Sequence, residues 1–345
     1  GMKGDAIVLG AIDGRELAAY LIDGQLEELA LSYDGLAPGA ILRGVVGRPV
    51  KGLGGVFIDL PGGERGFLRQ PKGLAPGQRV LVQVSGVTEP GKALPLSLRL
   101  MFKSRYAIVT PGAPGLNISR AIRDDDRRSD LTALATQAME GADQDLGLIL
   151  RSACAEAEPE EIAADATQMR DLAQAVLADL SGPAELLLDA PGPHDRAWRD
   201  WGTPELLDDS PDALDHHGVR DQIDTLLRAD VALGGGASMA VEPTRALVAV
   251  DVNTGSDTSP AAGLKACIAA ARELPRQLRL RGLGGQVVVD FAPCPKKDRH
   301  VLEQTLRKAF RPDGVETTLA GWTPLGNFEI QRRRDRQPLA RWMTP

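Results

Sequence analysis

Ala246-Leu247-Val248-Ala249-Val250-Asp251-Val252 is an apolar run with one carboxylate near its end, and Gln286-Val287-Val288-Val289-Asp290-Phe291 repeats the pattern further along. Both are short and rich in valine, which reads as buried strand. Between them Leu264, Ile268, Ala271, Leu274 and Leu278 recur at helical spacing and predict a helix over 262–281. Pro275 inside it predicts a kink or a break, because proline lacks the N–H and its ring meets the preceding turn. Gly284-Gly285 closes the unit, and a further helix is predicted from about Asp298, as N-cap, to Phe310. Strand, helix, strand is the pattern of a parallel βαβ pair.

Upstream, residues 3–36 alternate apolar runs with Gly and Asp and read as two or three short strands, among them Ala6-Ile7-Val8-Leu9. Residues 38–100 hold short strands about every ten residues: Ile41 to Val46, Gly55 to Leu60, Arg79 to Val84 and Leu94 to Leu98. That rhythm predicts a small barrel inserted into a longer chain. From 101 to 190 strand and helix mix. Ile162, Met169, Leu172, Val176 and Leu180 predict a helix over 160–180, and Leu186-Leu187-Leu188 a strand. Residues 191–218 read as loop, 218–228 as helix, and Gly234-Gly235-Gly236 as a turn.

At 345 residues, 43% of them hydrophobic, the chain is long enough for two to four modules. No apolar run reaches membrane-spanning length, and Gly1-Met2-Lys3-Gly4 opens no signal peptide; the glycine before Met2 reads as a tag scar. Cys154, Cys267 and Cys294 form no CxxC, so they are expected to be small buried hydrophobes in a reducing cytoplasm. The net charge of −7 argues against a protein that coats nucleic acid indiscriminately. A local basic groove stays compatible with it, because Arg276, Arg279, Arg281, Arg332, Arg333, Arg334 and Arg336 crowd the C-terminal third.

Asp251 and Asp290 each sit near the carboxyl end of a strand, where ligands of open α/β sheets bind. If the strands are neighbours, two like charges stand side by side and require a cation or a proton. All-oxygen ligands favour Mg²⁺ or Mn²⁺ over zinc. Asn253 falls on the same strand face as Asp251. The alternative is that one Asp caps a helix and the other is a solvated strand end; spacing leaves both open. His216-His217 reads as a solvated loop pair and His300 as a surface residue. No GxSxG, Walker A or HExxH pattern is present. In the barrel region Phe57 and Phe67 lie among Lys51, Arg65, Arg69 and Lys92. Aromatics beside cations suit single-stranded RNA, whose bases stack and whose phosphates pair; core packing is the competing reading for either ring.

Four segments together resemble the ribonuclease E/G family: Gly55 to Leu68; Ile118-Ser119-Arg120 with Asp124 to Arg127 and Gly147 to Ser152; Val250-Asp251-Val252-Asn253; and Arg276 to Gly285 followed by Val289-Asp290-Phe291. The last is the most specific. The resemblance implies an α+β and α/β fold of several subdomains. An RNase H-like subdomain (1–37 and 191–228) is interrupted by an OB-fold barrel (38–100) and a 5′-sensor subdomain (101–190), and a DNase I-like catalytic subdomain follows (229–345). It implies a cytoplasmic, metal-dependent endoribonuclease that hydrolyses single-stranded RNA to 5′-phosphate and 3′-hydroxyl ends. Asp251 and Asp290 would hold Mg²⁺, and Asn253 would position the scissile phosphate or a water of that ion. Phe57, Phe67 and Lys92 would bind the strand, and Arg120, Arg151 and Ser152 would receive the 5′-phosphate.

The departures set expectations of their own. Arginines commonly follow the family's first catalytic motif, whereas Thr254-Gly255-Ser256-Asp257-Thr258-Ser259 holds none and adds a negative charge. Ala121 stands where a second sensor arginine is expected. The family's Cys-rich zinc link and small C-terminal domain have no counterpart, so neither zinc nor zinc-linked dimerisation is expected. The alternative function is an RNA-binding member with little or no activity.

Overall fold

The structure, a computed structural model, describes residues 3–69 and 71–344. The chain divides into a discontinuous unit, Gly1–Ser32 with Pro204–Pro345, and an inserted unit, Tyr33–Thr203. Among the described residues no helix is long and apolar enough to cross a membrane.

The discontinuous unit holds two sheets. In the first, strands Asp5–Ile12, Arg15–Ile22 and Gln25–Leu31 form an antiparallel meander, and Leu206–Asp208 joins parallel to the first of them. Both hairpins turn on Asp-Gly, Asp13-Gly14 and Asp23-Gly24, all four residues at positive φ. Such turns match the twist of the flanking strands and favour Asp-Gly. The second sheet has six strands in the order Asp230–Gly234, Ala237–Pro243, Val248–Asn253, Gly285–Asp290, Phe328–Arg332 and Thr317–Trp322. The central pair, Val248–Asn253 and Gly285–Asp290, is parallel and joined through helix Pro260–Arg281, as the βαβ pattern predicts.

These two strands are not buried on both faces, as the apolar runs suggest. Val250, Val252, Val287 and Val289 pack against Leu274, Leu278, Leu302 and Leu306 from helices Pro260–Arg281 and Arg299–Phe310. Ala249, Asp251, Asn253 and Asp290 point the other way and are exposed. Helix Pro260–Arg281 passes through Pro275 without a break. Its buried face includes Leu274, Pro275 and Leu278, so packing offsets the lost hydrogen bond. Ser259 caps its start by accepting from Ala262 N at 3.2 Å, and Gly282 ends it in the left-handed conformation. Asp298 precedes helix Arg299–Phe310 but makes no side-chain cap.

The inserted unit contains a closed five-stranded, OB-like barrel. Its strands are Ile41–Val50, Gly55–Asp59, Arg65–Arg69, Arg79–Val84 and Leu94–Ser97. The first pairs with both the second and the fourth, the third runs parallel to the fifth, and the fourth pairs with the fifth, which closes the ring. Leu42, Val46, Val56, Ile58, Leu68 and Val82 fill it. Strand Glu185–Leu188 adds to the same sheet beside Ile41–Val50. A second sheet, Gly115–Ile118, Leu146–Leu150, Ala107–Pro111 and Phe102–Lys103, is covered by helices Asp125–Ala138 and Pro159–Leu177. Residues 191–218 are not all loop. They include helix Pro193–Asp200, strand Leu206–Asp208 and the short helix Ala213–His216. Pro193 at the first helical position, with its φ preset, is the local signal for the first of these.

Candidate functional site: paired carboxylates and aromatic barrel strands

Asp251 and Asp290 are partners in register across the parallel pair. Neighbouring strands lie about 4.8 Å apart, and register-matched residues share a face. The two carboxylates therefore stand side by side at the carboxyl ends of their strands, on the open face of the sheet. Asn253, the last residue of its strand, donates from Nδ2 to Asp251 Oδ2 at 3.3 Å. Among the described residues neither carboxylate has an ion-pair partner, and no group of three or more His, Cys, Asp and Glu forms a metal cluster. A pair of exposed, uncompensated carboxylates with a neighbouring amide is an all-oxygen donor set. It fits Mg²⁺, which keeps several waters and is held by one or two carboxylates. Neither Asp caps a helix.

Two backbone approaches shape the surroundings. A Cβ on Gly255, at positive φ, would lie 2.5 Å from Gly236 O, so the loop after Asn253 fits against the glycine turn only without a side chain. A Cβ added at Gly263 would lie 2.2 Å from Pro293 O, so this helix start abuts the loop that follows Asp290. Asp257 accepts from Ser259 N at 3.0 Å, and that hydrogen bond holds its carboxyl below the usual range. Its negative charge organises the turn that caps the helix.

In the barrel, Phe57 and Phe67 are directly paired across two antiparallel strands, with ring centres 5.4 Å apart in an edge-to-face arrangement. Alternation turns Val56, Ile58 and Leu68 into the barrel core and leaves both rings half-buried on its outer surface. Arg65 lies over Phe57, its Cζ 4.5 Å from the ring centre. Lys92 is exposed and pairs with Glu89 at 3.0 Å.

The three residues of the 5′-phosphate expectation are differently placed. Arg120 and Ser152 are exposed. Arg151 is largely covered and already engaged: its guanidinium donates to Ser104 O at 2.6 Å and to Asp200 Oδ1 at 2.9 Å.

The sequence model of the Ribonuclease E/G family matches residues 101–208 and 202–335. The chain belongs to the ribonuclease E/G family. Ribonuclease E of Nostoc sp. is 29% identical over 93% of this chain and 55% of its own length. Ribonuclease E of Synechocystis sp. is 28% identical over 94% of this chain and 56% of its own. Ribonuclease G of Salmonella typhimurium is 26% identical over 92% and 78%. The chain thus spans about half the length of the two ribonuclease E relatives.

Within this ribonuclease E/G chain, four of the clustered C-terminal arginines are engaged in ion pairs and carbonyl contacts. Arg279 donates to Asp313 Oδ1 at 2.8 Å and to the Glu27 carbonyl at 3.0 Å. Arg332, almost fully buried, pairs with Asp313 at 2.7 Å. Arg276 donates to the Leu26 carbonyl at 2.8 Å, and Arg336 pairs with Glu28 at 2.5 Å. Arg276 and Arg279 on helix Pro260–Arg281, and Arg336 beyond strand Phe328–Arg332, reach strand Gln25–Leu31.

Two clusters escaped sequence reasoning. His217 is not solvated: its side chain is 8% exposed and its Nε2 lies 2.7 Å from Asp208 Oδ2. Asp208 also accepts from Ser210 Oγ and N, and these bonds with His217 hold its carboxyl down at about 2. Cys267 and Cys294, separated in sequence, belong to one hydrophobic cluster, where Cys267 Sγ lies 3.3 Å from the Ala292 carbonyl. Nothing local in the sequence signals either arrangement.

Proposed function

We propose that this chain is a divalent-metal-dependent endoribonuclease that cleaves single-stranded RNA to 5′-phosphate and 3′-hydroxyl ends. The observation that carries the reading is the register match of Asp251 and Asp290, exposed and uncompensated, beside Asn253. Both carboxylates would hold Mg²⁺, with Mn²⁺ as a substitute. The ion supplies charge stabilisation on the phosphodiester and a more acidic water. Asn253 holds Asp251 in orientation and offers its amide to the phosphate. Phe57 and Phe67 give bases an outward aromatic surface, and Arg65, Arg69 and Lys92 supply charge to phosphates. With this goes the RNase H-like, 5′-sensor and DNase I-like subdomain plan. The reading invokes no zinc.

The test is cleavage of a 5′-labelled, AU-rich single-stranded oligonucleotide titrated with Mg²⁺. Metal-dependent cutting that disappears in Asp251→Asn and Asp290→Asn supports the reading. A second reading, an RNA-binding member with little activity, draws support from the arginine-free stretch Thr254 to Ser259. A protein that binds the oligonucleotide through Phe57 and Phe67 but never cuts it would favour that reading. Because Ala121 stands where a second sensor cation is expected, only a modest preference for 5′-monophosphorylated over 5′-hydroxylated RNA is expected.

A further inference from the structure

Outside the barrel, the inserted unit gathers an exposed indole and four cations from three separate segments. Trp198, on helix Pro193–Asp200, is 62% exposed, although an indole is among the costliest groups to leave in water. Arg105 backs one side of it, with Cζ 4.9 Å from the ring centre. The guanidinium is fixed there by donating to the Trp198 carbonyl and to Thr203 Oγ1, the latter at 2.8 Å. The exposed area is then the rest of the ring.

The next two helix residues extend the feature. Asp200 accepts from Arg151 Nη2 at 2.9 Å and from Arg199 Nη2 at 2.9 Å, and Lys103 Nζ lies 3.7 Å away. Three cations share one carboxylate, and Arg105 stands next to them, in a chain whose net charge is −7. Burial pushes the Lys103 ammonium below its usual range; Asp200 opposes that, and the charges of Arg151 and Arg199 add to it. Asp200 is the carboxylate paired with these cations; with Asp165, which accepts from Ser104 Oγ at 2.6 Å and from Tyr106 N at 3.2 Å, four cations face two acids.

We propose that Trp198 and the cations around Asp200 bind one nucleotide of single-stranded RNA, the base stacking on the indole and its phosphate facing Lys103, Arg105 and Arg199. This rests on the reading of the chain as RNA-binding and adds a contact that neither the barrel nor the paired carboxylates contain. A nucleotide carries a flat ring and an anion within one residue's length, which matches an indole beside surplus positive charge. A protein partner would have to bring both a hydrophobic group and an acid to the same place.

The experiment is fluorescence anisotropy of a 3′-labelled single-stranded decamer in EDTA, with salt varied, for wild type, Trp198→Ala, Trp198→Phe, Lys103→Gln and Phe57→Ala. Stacking energies translate to a loss of about five- to a hundredfold for Trp198→Ala, with most affinity kept by Trp198→Phe. Lys103→Gln should flatten the slope of log affinity against log salt by roughly 0.7, one single-strand phosphate contact. Trp198 is a surface residue, so the melting temperature checks that the fold is intact. If Trp198→Ala binds within twofold of wild type while Phe57→Ala is weakened, this inference fails alone. A wild type that does not bind the decamer overturns both this inference and the RNA-binding reading.

Discussion

Replacing Asp290 with Asn keeps the side-chain shape and removes one of two charges that the register match holds side by side. At about 5 Å in a water-like medium, two unit charges repel by roughly 1 kcal/mol, and both carboxylates are exposed enough for that end of the range to apply. Without metal, Asp290→Asn should therefore melt at the same temperature as wild type or a few degrees above it, since about 1 kcal/mol moves the midpoint of a domain this size by about 2–4 °C. With Mg²⁺ the order should invert. An ion bound only by the folded protein adds roughly 2.7 kcal/mol at a hundred times its dissociation constant, and the variant, short of one ligand charge, should gain much less. Calorimetry with and without Mg²⁺ reads this directly and needs no catalysis. Cleavage, measured in parallel, should fall by at least about a hundredfold, equivalent to about 2.7 kcal/mol in the barrier. If Mg²⁺ raises the melting temperature of wild type, Asp251→Asn and Asp290→Asn equally, the carboxylates do not hold it and the reasoning is refuted.

Asp313→Asn should destabilise the discontinuous unit by about 3 kcal/mol or more, because it strips the counter-charge from the buried Arg332 and from Arg279; chemical denaturation showing less than about 1 kcal/mol would contradict that role. Gly263→Ala should cost roughly 1–3 kcal/mol, since its Cβ meets the Pro293 carbonyl rather than a side chain that can move aside. It should also weaken Mg²⁺ binding by shifting the loop after Asp290, and a variant as stable and as tight as wild type would show that the loop yields freely. Burial pushes the Cys267 thiol up to about 12 and the Cys154 thiol up to about 11. Both should resist iodoacetamide at pH 8 until the protein is unfolded, and mass spectrometry showing equal labelling in the native state would be decisive against burial. As these are acids whose folded pKa is raised from 9.0, the stability they confer is complete below about pH 9 and declines as pH rises towards 11–12. For Asp208 the sign is opposite: held down at about 2, its contribution is present above its unfolded value of about 3.8 and is lost as pH falls towards 2, so Asp208→Asn should flatten acid unfolding in that window.

The placement of the candidate carboxylates was legible because its signals are local. Asp251, Asn253 and Asp290 could be placed on strands from valine runs, and period-two alternation assigned Asp251 and Asn253 to one face. The barrel announced itself by strand spacing. Its alternation also explains how Phe57 and Phe67 come to face outward, since Val56, Ile58 and Leu68 take the core positions. The helix in 193–200 was hidden because its sequence is polar and short, and Pro275 misled because packing around helix Pro260–Arg281 outweighs one missing hydrogen bond.

By itself the sequence determined the strands around Asp251 and Asp290, the helix between them, four of the barrel's strands and the candidate carboxylate pair, all consequences of periodicities that act over a few residues. Only the tertiary structure decided which charges are spent and which remain available. Arg279 and Arg332 are committed to Asp313, Arg336 to Glu28, Arg151 to Asp200 and His217 to Asp208, whereas among the described residues Asp251 and Asp290 keep no counter-charge. The physical reason is that an ion pair depends on distance in space. Chain topology sets that distance between residues as far apart in sequence as Glu28 and Arg336, and no local pattern encodes it.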